Sequence, residues 1–70
     1  IHDEKMYLIE VKSHAELEDV EWFYDKAQIV EKILERSAEK LIVVAVNADK
    51  EALEQAKELG IEVVCGAVIE

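Results

Sequence analysis

The sequence of 70 residues contains no proline, two glycines, one cysteine and no long hydrophobic run. The lack of proline and the scarcity of glycine predict regular helices and strands joined by short loops. A single cysteine, Cys65, excludes an internal disulfide. We therefore expect a reduced, cytoplasmic setting in which Cys65 is a small buried residue. No segment approaches the ~20 apolar residues of a membrane helix and none resembles a signal peptide, so we expect no membrane partner.

Basic residues are also scarce, with 8 lysines and arginines against 17 acidic residues and a net charge of -9. This excess of acidic residues argues against binding of nucleic acid by these 70 residues alone, because binding to a phosphate backbone needs clustered basic side chains. The acidic residues concentrate between Glu16 and Glu39, where we interpret them as the solvated face of a helix. The chain begins with isoleucine rather than methionine, so we expect residues 1–70 to be a single domain that is a fragment, a processed product, or the ordered part of something longer.

Hydrophobic residues make up 51% of the chain, enough for a core, and their spacing predicts five elements. Short apolar runs rich in valine and isoleucine predict strands at 6–12, 40–47 and 61–68. Helical periodicity predicts helices at 14–37 and 49–59. Helices between successive strands imply parallel pairing and right-handed connections. We therefore expect an α/β fold of three-layer type, with a small parallel sheet in β-α-β-α-β order. Strand 6–12 is predicted to be central and covered on both faces.

Local signals mark where the two helices begin and end. Ser13 and Glu16 have the spacing of a capping box, which predicts that the first helix starts near residue 14 or a few positions later. Asp49 is suited to capping the second helix, and Gly60 is suited to ending it in the left-handed conformation.

The first helix carries two apolar stripes rather than one. At about 100° per residue, one side collects residues that a sheet face can cover, namely Val20, Phe23, Ala27, Val30 and Leu34. Roughly 110° around the helix lies a second stripe of Trp22, Ile29 and Ile33. The second stripe needs a neighbouring helix of the same chain, a missing part of the domain, or another subunit. We predict that this stripe is the interface of a homo-oligomer. A neighbouring helix of the same chain and a missing part of the domain remain the alternatives.

Two charged residues lie near the end of strand 6–12. Glu10 and Lys12 share one face because side chains alternate along a strand, while Tyr7, Ile9 and Val11 point to the other. Ligands commonly bind beyond the carboxyl ends of parallel strands. A half-buried carboxylate there can hold Mg²⁺ beside a phosphate, with the Val11 carbonyl as a further ligand. The Lys12 ammonium can stabilise phosphate charge or help position an attacking water. The simpler alternative is an exposed ion pair at a polar strand end.

The stretch "YLIEVKS", followed by a helix and then "LIVVAVNA", resembles the later half of the PD-(D/E)XK nuclease superfamily, with its restriction-endonuclease-like fold. "KELGIEVV", residues 57–64, adds a likeness to uncharacterised prokaryotic members. The resemblance covers most of the chain in pattern, and its motif lies in Glu10, Val11 and Lys12. It implies that residues 1–70 are the C-terminal fragment of a larger nuclease-like domain, with a partial restriction-endonuclease-like core and metal-dependent hydrolysis of phosphodiester bonds. Mg²⁺ or Mn²⁺ would bind at Glu10, Lys12 would be the catalytic lysine, and nucleic acid would bind through the parent chain.

The same resemblance implies an aspartate on the preceding strand and, as in several families of the group, a lysine or glutamine on the following helix. Lys26 is the catalytic candidate on the helix because it lies between the two apolar stripes, whereas Gln28 falls well off that side. Asp3 is rejected as the aspartate, since a tight turn beside it would place it far from Glu10 at ~3.3 Å per strand residue. We expect an acidic residue just upstream of this sequence instead, and little or no activity from the 70 residues alone.

The sequence contains two histidines, and neither forms part of the predicted metal site. We interpret His2 as a terminal surface residue. His14 follows Lys12 closely enough to reach a phosphate, but we interpret it as a surface residue at the start of the helix. The alternative function is a non-catalytic α/β interaction module that oligomerises through the second stripe. The acidic balance and the missing aspartate favour this module for the polypeptide, whereas the placement of Glu10 and Lys12 favours a nuclease parent.

Overall fold

The computed structural model describes residues 5–70, which form three strands and two helices in alternation. The elements are β1 (Tyr7–Ala15), α1 (Leu17–Leu34), β2 (Lys40–Asp49), α2 (Lys50–Leu59) and β3 (Ile61–Ile69). All three strands are parallel and lie in the order β1-β2-β3. The chain therefore has the predicted α/β fold in β-α-β-α-β order.

Both helices cover the same face of the sheet. α1 and α2 pack against each other and share one core with β2. The two connections step in the same direction across the sheet, and right-handed crossovers that do so place their helices on one side. Residues 5–70 therefore form one helical layer and one sheet layer, and the third predicted layer is not found among them.

The core is small and rich in alanine. Its largest side chains are Phe23 of α1 and Ile61 of β3, and its alanines let α2 approach the sheet closely. The fully or nearly fully buried members are Ala15, Val20, Phe23, Ala27, Val43, Ala45, Ala48, Ala52, Ala56 and Ile61. This list confirms the first three residues of the predicted sheet-facing stripe of α1. Leu34, the last residue of that stripe, is 51% exposed because it lies at the very end of the helix.

The described sheet has β2, not β1, as its central strand. The prediction that the first strand is covered on both faces is therefore wrong for the described residues. Tyr7, Ile9 and Val11 are 49%, 57% and 74% exposed, because both helices lie on the opposite face. The strand itself runs to Ala15 rather than ending at residue 12.

The first helix begins three residues later than its earliest predicted start, with Glu16 as its N-cap. The capping box is formed by Glu16 and Asp19 instead of Ser13 and Glu16, and the Glu16 N–H donates to Asp19 Oδ2 at 2.9 Å. The continued pairing of β1 with β2 keeps Ser13 in the strand, where it cannot cap a helix.

Both helices end in the left-handed conformation. Glu35 ends α1 with a φ of 54°, which is earlier than the predicted residue 37. Gly60 ends α2 with a φ of 76°, as predicted from the freedom of glycine at this position. Neither helix has the length and the apolar composition needed to span a membrane.

Candidate functional site

Three charged or polar side chains of β1 lie on the covered face, beneath α1. Glu10, Lys12 and His14 are half-buried and alternate with exposed residues. They pair in register with β2, opposite Val43, Ala45 and Asn47 respectively. Steps of two residues along a strand separate successive side chains by about 6.6 Å. Because β1 extends to Ala15, Glu10 lies in the middle of the strand rather than at its carboxyl end as predicted.

The carboxylate of Glu10 contacts the first helix. Lys26 Nζ lies 3.3 Å from Glu10 Oε1 and 3.5 Å from Oε2. The Lys26 and Glu10 side chains remain 40% and 30% exposed. They border an open pocket of about 190 Å³ that also includes Leu8, Phe23 and Val30. The pocket therefore combines an apolar wall with one acidic and one basic group, as small-molecule and substrate sites commonly do.

The ammonium of Lys12 also contacts the first helix, through its first turn. Lys12 Nζ lies 3.2 Å from Asp19 Oδ1. The other carboxylate oxygen of Asp19 accepts the N–H of Glu16. That N–H donor lowers the pKa of Asp19 below its ordinary value, partial burial opposes the shift, and Lys12 adds to it. The helix cap that begins α1 therefore also holds the side chain of Lys12.

The imidazole of His14 lies between two residues of β2. Its Nδ1 contacts Asn47 Oδ1, and its Nε2 lies 3.0 Å from Asp49 Oδ1. The hydrogen bond with Asn47 raises the pKa of His14 above 6.5, desolvation lowers it, and the carboxylates of Asp49 and Glu16 raise it further. The interpretation that His14 lies at a helix start is wrong, because β1 continues through it, but its side chain does lie at the surface, with 41% of it exposed.

The structure brings together most of the residues that the sequence predicted for a site. Glu10, Lys12 and Lys26 all lie in the space between β1 and α1. Gln28 is exposed, so Lys26 is the basic residue of α1 at the Glu10 carboxylate. Val11 turns its side chain to the opposite face and is 74% exposed, which leaves only its main-chain carbonyl as a ligand for an ion beside Glu10.

Sequence reasoning missed three polar partners of this site. The sequence pattern indicates Asp19 only as one of the acidic residues of the helix, Asn47 only as part of an apolar strand, and Asp49 only as a helix cap. In the structure, Asp49 is the N-cap of α2 but makes no side-chain cap hydrogen bond, and its carboxylate contacts His14 instead. The register Lys12↔Ala45 and His14↔Asn47 would have predicted the Asn47 contact once parallel pairing was assumed.

The predicted second stripe of α1 lies away from the core. Trp22, Ile29 and Ile33 are 62%, 57% and 72% exposed. Within residues 5–70, α2 packs on the other side of α1 and leaves this stripe uncovered. Both His2 and Asp3 lie outside the described residues.

The charged groups beneath α1 meet only part of what a divalent ion needs. Mg²⁺ and Mn²⁺ favour oxygen ligands, and the ligands predicted from the sequence are the Glu10 carboxylate and the Val11 carbonyl. Among residues 5–70, no group of three or more His, Cys, Asp or Glu side chains converges to hold an ion. Within the part of the chain that the structure describes, Glu10 is therefore not joined by a further set of acidic ligands.

A parallel β-α-β unit with Glu10 and Lys12 on the strand face beneath its connecting helix defines the class of this chain as an α/β protein with a charged strand face. A family model described as the PD-(D/E)XK nuclease superfamily matches residues 1–62. The chain belongs to this superfamily, as the resemblance of its sequence implied. Comparisons with curated proteins and with solved structures found no match.

Proposed function

We propose that this chain contributes the Glu-x-Lys part of a metal-dependent nuclease site that hydrolyses phosphodiester bonds. The observation that carries the proposal is the placement of Glu10 and Lys12 on one half-buried strand face, with Lys26 of α1 at the Glu10 carboxylate. Membership of the PD-(D/E)XK nuclease superfamily supports nucleic acid as the substrate.

Each residue would have a separate task. Glu10 and the Val11 carbonyl would hold Mg²⁺ or Mn²⁺, which supplies charge stabilisation at the phosphate and lowers the pKa of a bound water. Lys12 would orient the attacking water or stabilise the developing negative charge. Lys26, which lies 3.3 Å from Glu10, is close enough to contact a phosphate oxygen bound beside that carboxylate. A second carboxylate from outside residues 5–70 would complete the metal ligands.

The test is cleavage of single- and double-stranded DNA and RNA, with Mg²⁺ or Mn²⁺, by the full-length natural protein that contains this chain. Lys12→Ala is expected to reduce kcat by roughly 10²- to 10³-fold, the usual effect of removing one charge-stabilising donor. Lys40→Ala is the matched control, because Lys40 is a lysine of the neighbouring strand that pairs with Glu62 and lies away from α1. Circular dichroism of each variant would verify that it is folded.

Two results would count against this function. One is the absence of cleavage by the full-length protein across all metals and substrates. The other is a Lys12→Ala variant that cleaves as fast as the Lys40→Ala control. Loss in both variants would indicate an effect of net charge on substrate binding, rather than a specific role for Lys12.

A second candidate function, a homo-oligomeric interaction module, is favoured by the exposed stripe of Trp22, Ile29 and Ile33. Aromatic and branched apolar residues grouped on one exposed helix side are typical of interfaces. Sedimentation of the chain with and without Trp22→Glu tests it. A dimer that dissociates in Trp22→Glu and persists in the control Glu21→Gln supports the module, whereas a monomeric parent at all concentrations excludes this interface.

A further inference from the structure

The face of the sheet opposite the two helices is apolar and open. Six of its large side chains, contributed by all three strands, are between 36% and 74% exposed: Tyr7, Ile9, Val11, Val44, Val46 and Val64. Val11, Val44 and Val64 are partners in the strand register, so they form a continuous row across the sheet. These six residues, which we call the open face, are therefore one surface rather than scattered exposed side chains.

We propose that the open face is the interface of a homodimer, in which two copies of this chain pack sheet against sheet. The proposal goes beyond the nuclease function and does not depend on it, because Glu10 and Lys12 lie on the opposite face of the sheet. It also concerns a different surface from the stripe of Trp22, Ile29 and Ile33, which belongs to α1 on the other side of the sheet.

The open face is large enough for such a dimer. Its six large side chains expose on the order of 100 Å² each. Two copies packed face to face therefore bury ~1,200 Å² in total, the lower limit of a standard protein interface. Residues 1–4, which the structure does not describe, extend at most ~14 Å and are too few to cover three strands. The open face therefore needs a cover of the size that a second copy supplies.

The charge of the open face favours a second copy over other kinds of partner. By strand alternation, the charged residues of the three strands on this side of the sheet are Lys40 and Glu62. They pair with each other at 3.2 Å and leave the surface without net charge. Nucleic acid and anionic membranes require clustered basic residues, and a charged protein surface would leave its charges unpaired against the valines. An uncharged apolar surface matches another of its own kind.

The net charge of -9 limits the ways in which two copies can meet. Exposed acidic residues of α1, including Glu18, Glu21 and Asp25, lie on the side of the sheet away from the open face. In a sheet-to-sheet pair, a sheet spacing of ~10 Å and a helix of ~10 Å on each side place the two acidic surfaces roughly 30 Å apart. This separation exceeds the Debye length of ~8 Å, so salt screens most of the repulsion.

The open face also has the shape to pack against itself. Next to the central row, Ile9 and Glu62 lie toward the amino ends of the strands, and the small residues Ser13 and Gly66 lie toward the carboxyl ends. A two-fold axis along the central row makes the strands of the two copies antiparallel. Larger residues of one copy then lie over smaller residues of the other, and the Val44 side chains meet near the axis.

The first experiment measures the mass of the chain and of the full-length natural protein by sedimentation over a range of concentrations. We expect a dimer in both. Val46→Asp and Val64→Asp should each raise its dissociation constant by roughly 100-fold or more, because they bury an unpaired carboxylate in the interface. Gln28→Asp is the matched control, since it adds the same charge at an exposed position of α1. Circular dichroism verifies that each variant is folded.

Four results would overturn the proposal. A monomer at all concentrations excludes the dimer. A dimer that persists in both valine variants and dissociates in Trp22→Glu places the interface on α1. Equal weakening by Gln28→Asp indicates a general effect of charge. A dimer of the chain that is absent from the full-length natural protein shows that other residues of that protein cover the open face.

The second experiment leaves the open face unchanged and measures a distance across the dimer. A spin label on Gln28→Cys, in a Cys65→Ala background that removes the native thiol, reports the separation of the two α1 helices. Sheet-to-sheet packing predicts a separation of roughly 30 Å or more, with α1 on the outside of each copy. Packing of α1 against α1 would instead bring the helix axes to ~8–10 Å. A short distance between the labels therefore overturns the proposal, and a long one supports it.

Discussion

On the covered face of the sheet, β1 presents Glu10, Lys12 and His14 to α1, whereas its open face presents Tyr7, Ile9 and Val11. A sheet with helices on one side ordinarily has the reverse arrangement, with apolar residues beneath the helices and polar residues outside. The helix makes the inverted pattern possible, because Lys26 and Asp19 supply counter-charges to the strand.

The two faces of β1 are suited to different functions. Half-buried charges held by partners from another element are suited to chemistry, because their positions are fixed and their environment is only partly aqueous. An open face of branched apolar residues is suited to contact with another layer or another protein. On β2 the open face continues through Val44 and Val46, at 36% and 67% exposure. The four predictions below test this division, starting with the largest expected effect.

A matched pair of β2 valines provides the strongest test of the division. Val43 is 1% exposed on the covered face, and Val46 is 67% exposed on the open face. Val43→Asp would bury an unpaired charge in the core and should lower the free energy of unfolding by more than about 4 kcal/mol. Val46→Asp should cost about 1 kcal/mol, mainly through the low strand propensity of aspartate. Urea unfolding measures both, and equal losses would contradict the assignment of an open face.

Adjacent aromatic residues allow the same comparison on α1. Phe23 is 5% exposed and Trp22 is 62% exposed. Phe23→Ala should cost about 3 kcal/mol, since it removes a core side chain and leaves a cavity. Trp22→Ala should cost about 1 kcal/mol or less in the monomer. A large, concentration-dependent loss in Trp22→Ala would instead show that this side of α1 is buried in an oligomer.

Sequence patterns predict the helices and strands of this fold better than they predict which faces of those elements are covered by the rest of the protein. The order of strands and helices, the sheet-facing side of α1 at Val20 and Phe23, and the end of α2 at Gly60 follow from local periodicity and capping preferences. The exposure of Tyr7 and Ile9 does not, because the apolar run of β1 is equally compatible with a strand covered on both faces. Which face is covered depends on the handedness of both connections together.

The residues of the candidate site also fall into two groups, those that the sequence predicts and those that it does not. Glu10, Lys12 and Lys26 were predictable as neighbours, because strand alternation and helical periodicity fix the direction of each side chain. The contact of Asp19 with Lys12 was not predictable, because Asp19 is equally compatible with being one more acidic residue on a solvated helix face. The sequence predicts the position of Asp49 at the start of α2, because capping preferences are local. It does not predict the contact of Asp49 with His14, because that contact depends on strand register.

A smaller effect is expected for Asp19, which connects the helix cap with Lys12 on the covered face. Its pKa is lowered in the folded protein, so its contribution to stability is present above the pKa of the unfolded chain and is lost as pH falls through the folded value. Asp19→Asn should therefore cost about 1 kcal/mol at neutral pH and weaken the acid dependence of stability between pH ~5 and the folded pKa. Glu18→Gln is the control, because Glu18 is an exposed acid of the same turn. Identical acid profiles for Asp19→Asn and the parent would contradict the cap.

The smallest expected effect compares one ion pair from each face. The Lys26 and Glu10 side chains are 40% and 30% exposed beneath α1, whereas those of Lys40 and Glu62, outside it, are 52% and 55% exposed. Double-mutant cycles with Lys→Met and Glu→Gln changes should give a coupling of about 1 kcal/mol or less for the covered pair and about 0.3 kcal/mol for the open pair. Added salt should weaken the open pair more, because water and ions reach it more freely. Equal couplings with equal salt dependence would mean that α1 does not shield Glu10, and the covered face would then lose the physical basis for its assignment as the site.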